Sequence, residues 1–190
     1  MLRLSITPLV VALFMGLASC QSNPSENLIE QFEEGSRFFL TTNLHVDPLH
    51  NRIRSQNFVW GRLLPMCSEV RVQSVDADSL NFIVIASGQL LKFMRDEELL
   101  EPFGEHLDRY FGEQCDRTSI DALSAVDQKG IASGEIMIGM TKAGVLLAVG
   151  YPPEHMNSTL DAGRWVYSKN KWTLISVHFD ENSIVSRIDE

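Results

Sequence analysis

The sequence predicts an α+β fold: a small β-meander or SH3-like unit, then a C-terminal α-α-β-β-β domain with a three-stranded antiparallel sheet and two helices. Three observations carry this reading. SEVRVQSV (68–75) alternates, and LNFIVIA (80–86) is β-branched and almost wholly apolar. Residues 118–150 hold two segments with helix start and stop signals. RWVYSK (164–169), KWTLISVHFD (171–180) and IVSRI (184–188) then alternate again.

The N-terminal MLRLSITPLVVALFMGLASC has one early Arg3, an apolar run over residues 6–14 and then small residues. That run is too short to span a bilayer, and its flanks suit a signal peptide over residues 1–19. Leu17-Ala18-Ser19-Cys20 resembles the lipobox of bacterial lipoproteins. The resemblance implies cleavage before Cys20, acylation of its thiol and usually of its new amino group, and, with Gln21 next, residence on the outer membrane. Two or three acyl chains hold a protein firmly where one does not. An ordinary secretory signal with an incidental cysteine is the alternative.

Cleavage there leaves 171 residues with a formal net charge of −10, against −9 for the whole chain. This acidity offers no basic face for a nucleic acid, and adhesion to anionic headgroups by charge is not expected either. With Cys20 lipidated, Cys67 and Cys115 remain as an even pair in an oxidising compartment, which predicts a disulfide across 47 intervening residues. Two buried free thiols are the alternative. Without a nearby CxxC or HxxxH pattern the cysteines supply no tetrahedral metal site, and no cofactor is expected.

Residues 20–36 are polar and acidic with Pro24 and read as a tether, with a short helix around residues 28–32. FFLTTNLH (38–45) reads as extended and NLHVDPLHNRIRSQ after it as loop, broken by Pro48. The strands 68–75, 80–86 and 89–95, joined by Asp76-Ala77-Asp78-Ser79 and Ser87-Gly88, form the meander of a small β unit over residues 37–96. Residues 97–117 connect it onward. Pro102 suits N1 of a helix running to Gly112, with Leu99, Phe103, Leu107 and Tyr110/Phe111 as its apolar stripe. A second helix spans 118–131, with Thr118 and Asp121 as a capping box.

GMTKAGVLLAVGYPP (139–153) is the best-punctuated stretch. Thr141 is the N-cap, Met140 and Val145 bracket it as a hydrophobic staple, Gly150 takes the C′ position, and Pro152-Pro153 forbid continuation. Beyond it, Trp165 and Tyr167 share one strand face, and Thr173, Ile175, Val177 and Phe179 another, opposite Leu174, Ser176 and His178.

Together, Ile138-Gly139-Met140-Thr141, Val145-Leu146, Gly150-Tyr151-Pro152-Pro153, Trp165-Val166-Tyr167, His178-Phe179-Asp180 and Ile184-Val185 resemble the SmpA/OmlA (BamE-like) family of outer-membrane lipoproteins. The resemblance covers residues 118–190 only. Family members place this domain soon after the lipidated cysteine, whereas here about a hundred residues intervene. It implies a lipid-anchored, non-enzymatic, protein-binding accessory on the periplasmic face, working with the β-barrel assembly machinery or in envelope integrity. The α-α-β-β-β plan also resembles proteinaceous β-lactamase inhibitors, so an inhibitor or sensor of an envelope hydrolase is the alternative.

No catalytic set stands out. His45, Asp47 and His50 suit a surface loop better than a metal site, and His106, His155 and His178 stand alone. Tyr151, Pro153, His155, Met156 and Trp172 are the candidate partner-binding residues, because aromatic residues and Met are enriched at interface centres. Trp165 and Tyr167 are expected beneath the helices, and Trp172 is the expected exposed anchor.

Overall fold

The computed structural model describes residue 29 and residues 31–190; the signal segment, Cys20 and most of the tether lie outside the described residues. Strands β1 (Arg37–Leu40), β2 (Leu44–Val46), β3 (Arg52–Arg54), β4 (Arg62–Leu64), β5 (Glu69–Asp76), β6 (Ser79–Val84) and β7 (Leu90–Met94) come first. Helix α1 (Phe103–Asp108) and the two-residue strand β8 (Phe111–Gly112) follow. Helices α2 (Arg117–Asp121), α3 (Ala125–Ser133) and α4 (Lys142–Val149) then lead into strands β9 (Arg164–Ser168), β10 (Leu174–Phe179) and β11 (Val185–Asp189). The α+β class is as the sequence predicts.

The meander β5-β6-β7 is antiparallel as its alternation requires, but it is the middle of a larger sheet ordered β3-β7-β6-β5-β1-β8. β3 joins parallel to β7, with Ile53 opposite Phe93, so the stretch read as loop after residue 45 supplies a strand of the main sheet. Nor does the first folded element wait for residue 37. Phe32, placed in the tether by the sequence, is fully buried 4.7 Å from the Phe38 ring, and Gly35 N donates to Val72 O at 3.0 Å. A polar, acidic composition masked one aromatic that outweighs it: burying a phenylalanine contributes roughly 2 kcal/mol.

Two helix readings are corrected. The helix expected to reach Gly112 stops at Asp108, because Thr41 N takes Tyr110 O at 3.0 Å and Phe111 pairs with Leu40. Phe103, Leu107, Tyr110 and Phe111 of the apolar stripe are still buried and Leu99 packs against them half-buried; Phe111 is a strand residue, and the sheet therefore extends beyond residue 96. The helix expected over 118–131 is two helices. Asp116 caps α2 and Ser124 caps α3, each accepting from the backbone three residues on, so Thr118 and Asp121 form no capping box.

The helix α4 behaves as its punctuation demands. Thr141 Oγ1 accepts from Gly144 N at 3.0 Å, Met140 and Val145 are fully buried, and Gly150 lies at φ 81°. β9, β10 and β11 form an antiparallel sheet in which Trp165, Tyr167, Val177 and Val185 pack against Val145, Ala148 and Val149 of α4. Disulfide-bonded Cys67 and Cys115, with Cα atoms 5.2 Å apart, tie the start of β5 to the segment before α2.

The two cores are separate clusters joined by a polar seam. The ribbon of β2 and β4 sits in it: Leu44, Val46 and Leu64 enter the first core, while His45 and its cross-strand partner Leu63 face Gly134 at the end of α3. Asn43 Nδ2 donates to Ile131 O at 2.7 Å and Ala148 O at 3.0 Å, and Asn43 N donates to Leu147 O at 2.9 Å. Asn57 Nδ2 donates to Val149 O at 2.7 Å, and Tyr167 Oη to Gly150 O at 3.1 Å. With Gly150 N on Leu146 O, every carbonyl from Leu146 to Gly150 has a donor. Gly150 is needed here because a Cβ would stand 2.8 Å from the Asn57 amide nitrogen.

His45 completes the seam, its Nε2 3.1 Å from Gly134 O. Burial pushes its pKa below the ordinary 6.5, against the opposing hydrogen bonds to Gly134 and Asn57. A depressed folded-state pKa contributes stability that is present above the unfolded value and is lost as the pH falls through the folded one. Between about pH 7 and 5, wild-type protein should therefore lose more unfolding free energy in denaturant titrations than His45→Gln, which does not titrate. Parallel pH profiles would rule the effect out.

Candidate functional site

The turn after α4 builds a wide groove. Pro152 and Pro153 are both buried, a 3-10 turn spans Glu154–Met156, and Asn157 folds back so that its Nδ2 donates to Pro153 O at 2.8 Å. The same side chain then serves as a neighbour to the edge of β9: Nδ2 donates to Val166 O at 2.9 Å and Oδ1 accepts from Val166 N at 2.8 Å. The loop is thereby fixed to the sheet at both ends.

Tyr151 is held from the other unit. Its N–H donates to Tyr110 Oη at 3.4 Å, its ring meets Tyr110 edge-on at 5.9 Å, and the Arg109 guanidinium lies 5.4 Å over its face. Complete burial pushes the Tyr110 phenol pKa upward, so it stays neutral as it accepts from Tyr151 N. Burial works against the charge of Arg109, but Glu154, at 2.7 Å, and Glu101 hold its pKa above the ordinary value. With Leu100, Leu160 and Pro152 these residues line a groove of about 570 Å³, and Arg109 and Tyr151 continue into a hollow lined by His106 and His155.

The predicted partner-binding residues do not form one surface. Tyr151 lines the groove and His155 is exposed in the adjoining hollow. Pro153 is buried in the turn and lines the same hollow. Met156 is half-buried in the 3-10 turn, and Trp172 is 91 % exposed in the β9–β10 hairpin, sharing no described cavity with the others. Arg109, Leu100 and Leu160 were not legible as site residues, since each reaches the groove from a different part of the chain and none stands in a motif.

The chemistry near the groove is occupied. His106 Nε2 faces Ser55 O at 3.0 Å and Nδ1 faces Glu101, two acceptors, so neither nitrogen is free to serve as a base. The Ser55 hydroxyl donates to Asp96 Oδ2 at 3.0 Å and accepts from Asp96 N at 2.9 Å. Among the described residues no group of three or more His, Cys, Asp or Glu side chains could hold a metal ion. Asp47 accepts from His50 at 2.7 Å, while His45 points to Gly134, so that trio is dispersed. Comparison with protein-family models, curated proteins and solved structures finds no match.

Proposed function

We propose that the protein is a lipoprotein, anchored through Cys20 on the periplasmic face of the outer membrane, and that its Tyr151 groove binds an envelope protein in outer-membrane assembly or envelope integrity. Residues 118–190 would then be an SmpA/OmlA-like α-α-β-β-β domain. The observation that carries the reading is the groove: exposed Leu100 and Leu160 flank Tyr151, whose orientation is set by Tyr110 and Arg109. A preformed apolar surface with a fixed aromatic binds without first paying for order. The disulfide is in keeping with an oxidising compartment. Anchoring adds affinity by confining the groove near a membrane-bound partner.

The second reading, inhibition of an envelope hydrolase, draws support from Trp172, which stands out from a hairpin as an inhibitory tip would. The test is crosslinking in native envelopes with the protein tagged at Glu190. Recovery of barrel-assembly components, diminished in Tyr151→Ala and in Cys20→Ala, supports the first reading. Recovery of a cell-wall or soluble enzyme, lost in Trp172→Ala but kept in Tyr151→Ala, supports the second and sinks the first.

A further inference from the structure

Away from the groove, a second cleft of about 180 Å³ opens where the two units meet, lined by His45, Asp47, Arg52, Arg54, Trp60 and Lys171 together with Phe58. Its volume, roughly that of six waters, suits a phosphate ester or a group of that size. Three cationic side chains against one lining carboxylate are unusual in a chain with 25 acidic and 16 basic residues. Arg54 is preset: its guanidinium pairs with buried Asp96 and lies 5.9 Å over the Phe58 ring, leaving Nε buried without a hydrogen-bond partner. The Arg52 Nε lies 3.4 Å from Asp47 Oδ2 in no hydrogen-bond geometry, and His45 Nδ1 is likewise unpartnered. Buried polar atoms left without partners mark a place where an additional group belongs.

The rim is as distinctive as the floor. Three projecting segments bound the cleft, and each carries an exposed large apolar residue. Leu49, 81 % exposed, tips the turn whose base residues Asp47 and Arg52 line the cleft. Trp60, 49 % exposed, is itself a wall. Trp172 follows Lys171 in a hairpin turn that Asn170 Oδ1 stiffens by accepting from Trp172 N at 2.8 Å and Thr173 N at 3.0 Å. Separate apolar tips around a basic cleft differ from the continuous apolar core of a protein interface. They match an anionic bilayer surface, where tryptophan sits at headgroup level and Lys or Arg reaches the phosphates.

We propose that this face docks on an anionic lipid bilayer, with a headgroup phosphate in the Arg52–Arg54–Lys171 cleft and Leu49, Trp60 and Trp172 in the interfacial layer. Docking fixes the orientation of the folded chain on the membrane, whatever holds its N-terminus there, so it stands independently of the reading of Cys20 and of the groove.

The test uses the purified full chain reconstituted in phosphatidylcholine vesicles, with or without phosphatidylserine, whose acyl chains are brominated near the headgroup. Tryptophan quenching reports docking, because Trp165 is fully buried and Trp60 and Trp172 are not. Quenching that needs phosphatidylserine and weakens with salt is expected. The docked-to-undocked ratio should fall about fivefold in Lys171→Ala, the weight of one lysine beside an anionic leaflet, and about tenfold in Leu49→Ala, which leaves both reporting tryptophans in place. Both sites are exposed, so folding is not at stake. Equal quenching in both vesicle types, or quenching unchanged in both variants, overturns the proposal. So does binding of soluble glycerol phosphate without vesicle docking, which would make the ligand a free phosphate ester, or binding of a polyglutamate peptide without vesicle docking, which would make it an acidic protein.

Discussion

Asn43→Ala is expected to lower folding stability by about 3 kcal/mol. The side chain donates to Ile131 O and Ala148 O, both buried, and accepts from the part-buried Met66 N at 2.8 Å. Truncation leaves Ala148 O without its side-chain donor and opens the part-buried Met66 N–H, while Ile131 O keeps Gly134 N at 3.3 Å; each buried group so opened costs roughly 1–3 kcal/mol. Asn43→Asp makes the test sharper. It keeps the shape but turns an oxygen toward two carbonyl oxygens, so it should be at least as damaging as alanine. Chemical denaturation of the three proteins decides the matter, and an Asp variant near wild type would show that shape rather than hydrogen bonding holds the seam.

Gly144→Ala should cost about 4 kcal/mol despite alanine being the better helix former by about 1 kcal/mol. A Cβ at residue 144 would stand 1.9 Å from Asp127 Oδ1. That carboxylate cannot step aside: it is fully buried, accepts from Thr141 N at 2.8 Å and Thr141 Oγ1 at 3.2 Å, and takes the Ser124 hydroxyl at 2.8 Å. One side chain thus ties the starts of α3 and α4 together, and only a missing Cβ lets the helices approach so closely. The double variant Asp127→Ala/Gly144→Ala should be less destabilised than the sum of the single changes, because the first removes the obstacle for the second. Additive losses in thermal unfolding would argue that the collision is relieved some other way.

Both sites show which parts of this molecule its sequence discloses. Thr141, Met140 and Gly150 were legible because capping is a local affair, settled within a turn of the chain. Trp165 and Tyr167 were legible because alternation marks a buried face without reference to what covers it. Phe111–Gly112 was not, since it continues a helical stripe, and only a partner near residue 40 makes it a strand. Asn43 lies in a segment that reads as extended and Asn57 follows one that reads as loop, and neither position hints that they close the ends of helices 88 to 105 residues away. The groove shared this fate: Tyr151 was visible beside its prolines, whereas Arg109 gains its role only from Glu101, Glu154 and the Tyr151 ring. Net charge, for a related reason, does not disclose the three cations gathered at one cleft, because it sums over faces.

The seam also sets an order of events. A chain made from its N-terminus presents Asn43 and Asn57 long before residues 146–150 exist, so the groups that finish α4 are in place before the helix itself. Until the first sheet has positioned those amides, α4 has carbonyls with nothing to receive, and a short helix gains little on its own. Closing loops of about a hundred residues for these contacts is slow compared with forming local turns. The C-terminal sheet is therefore the late-folding half of the molecule, and its exposed strands are the species most prone to mispairing on the way.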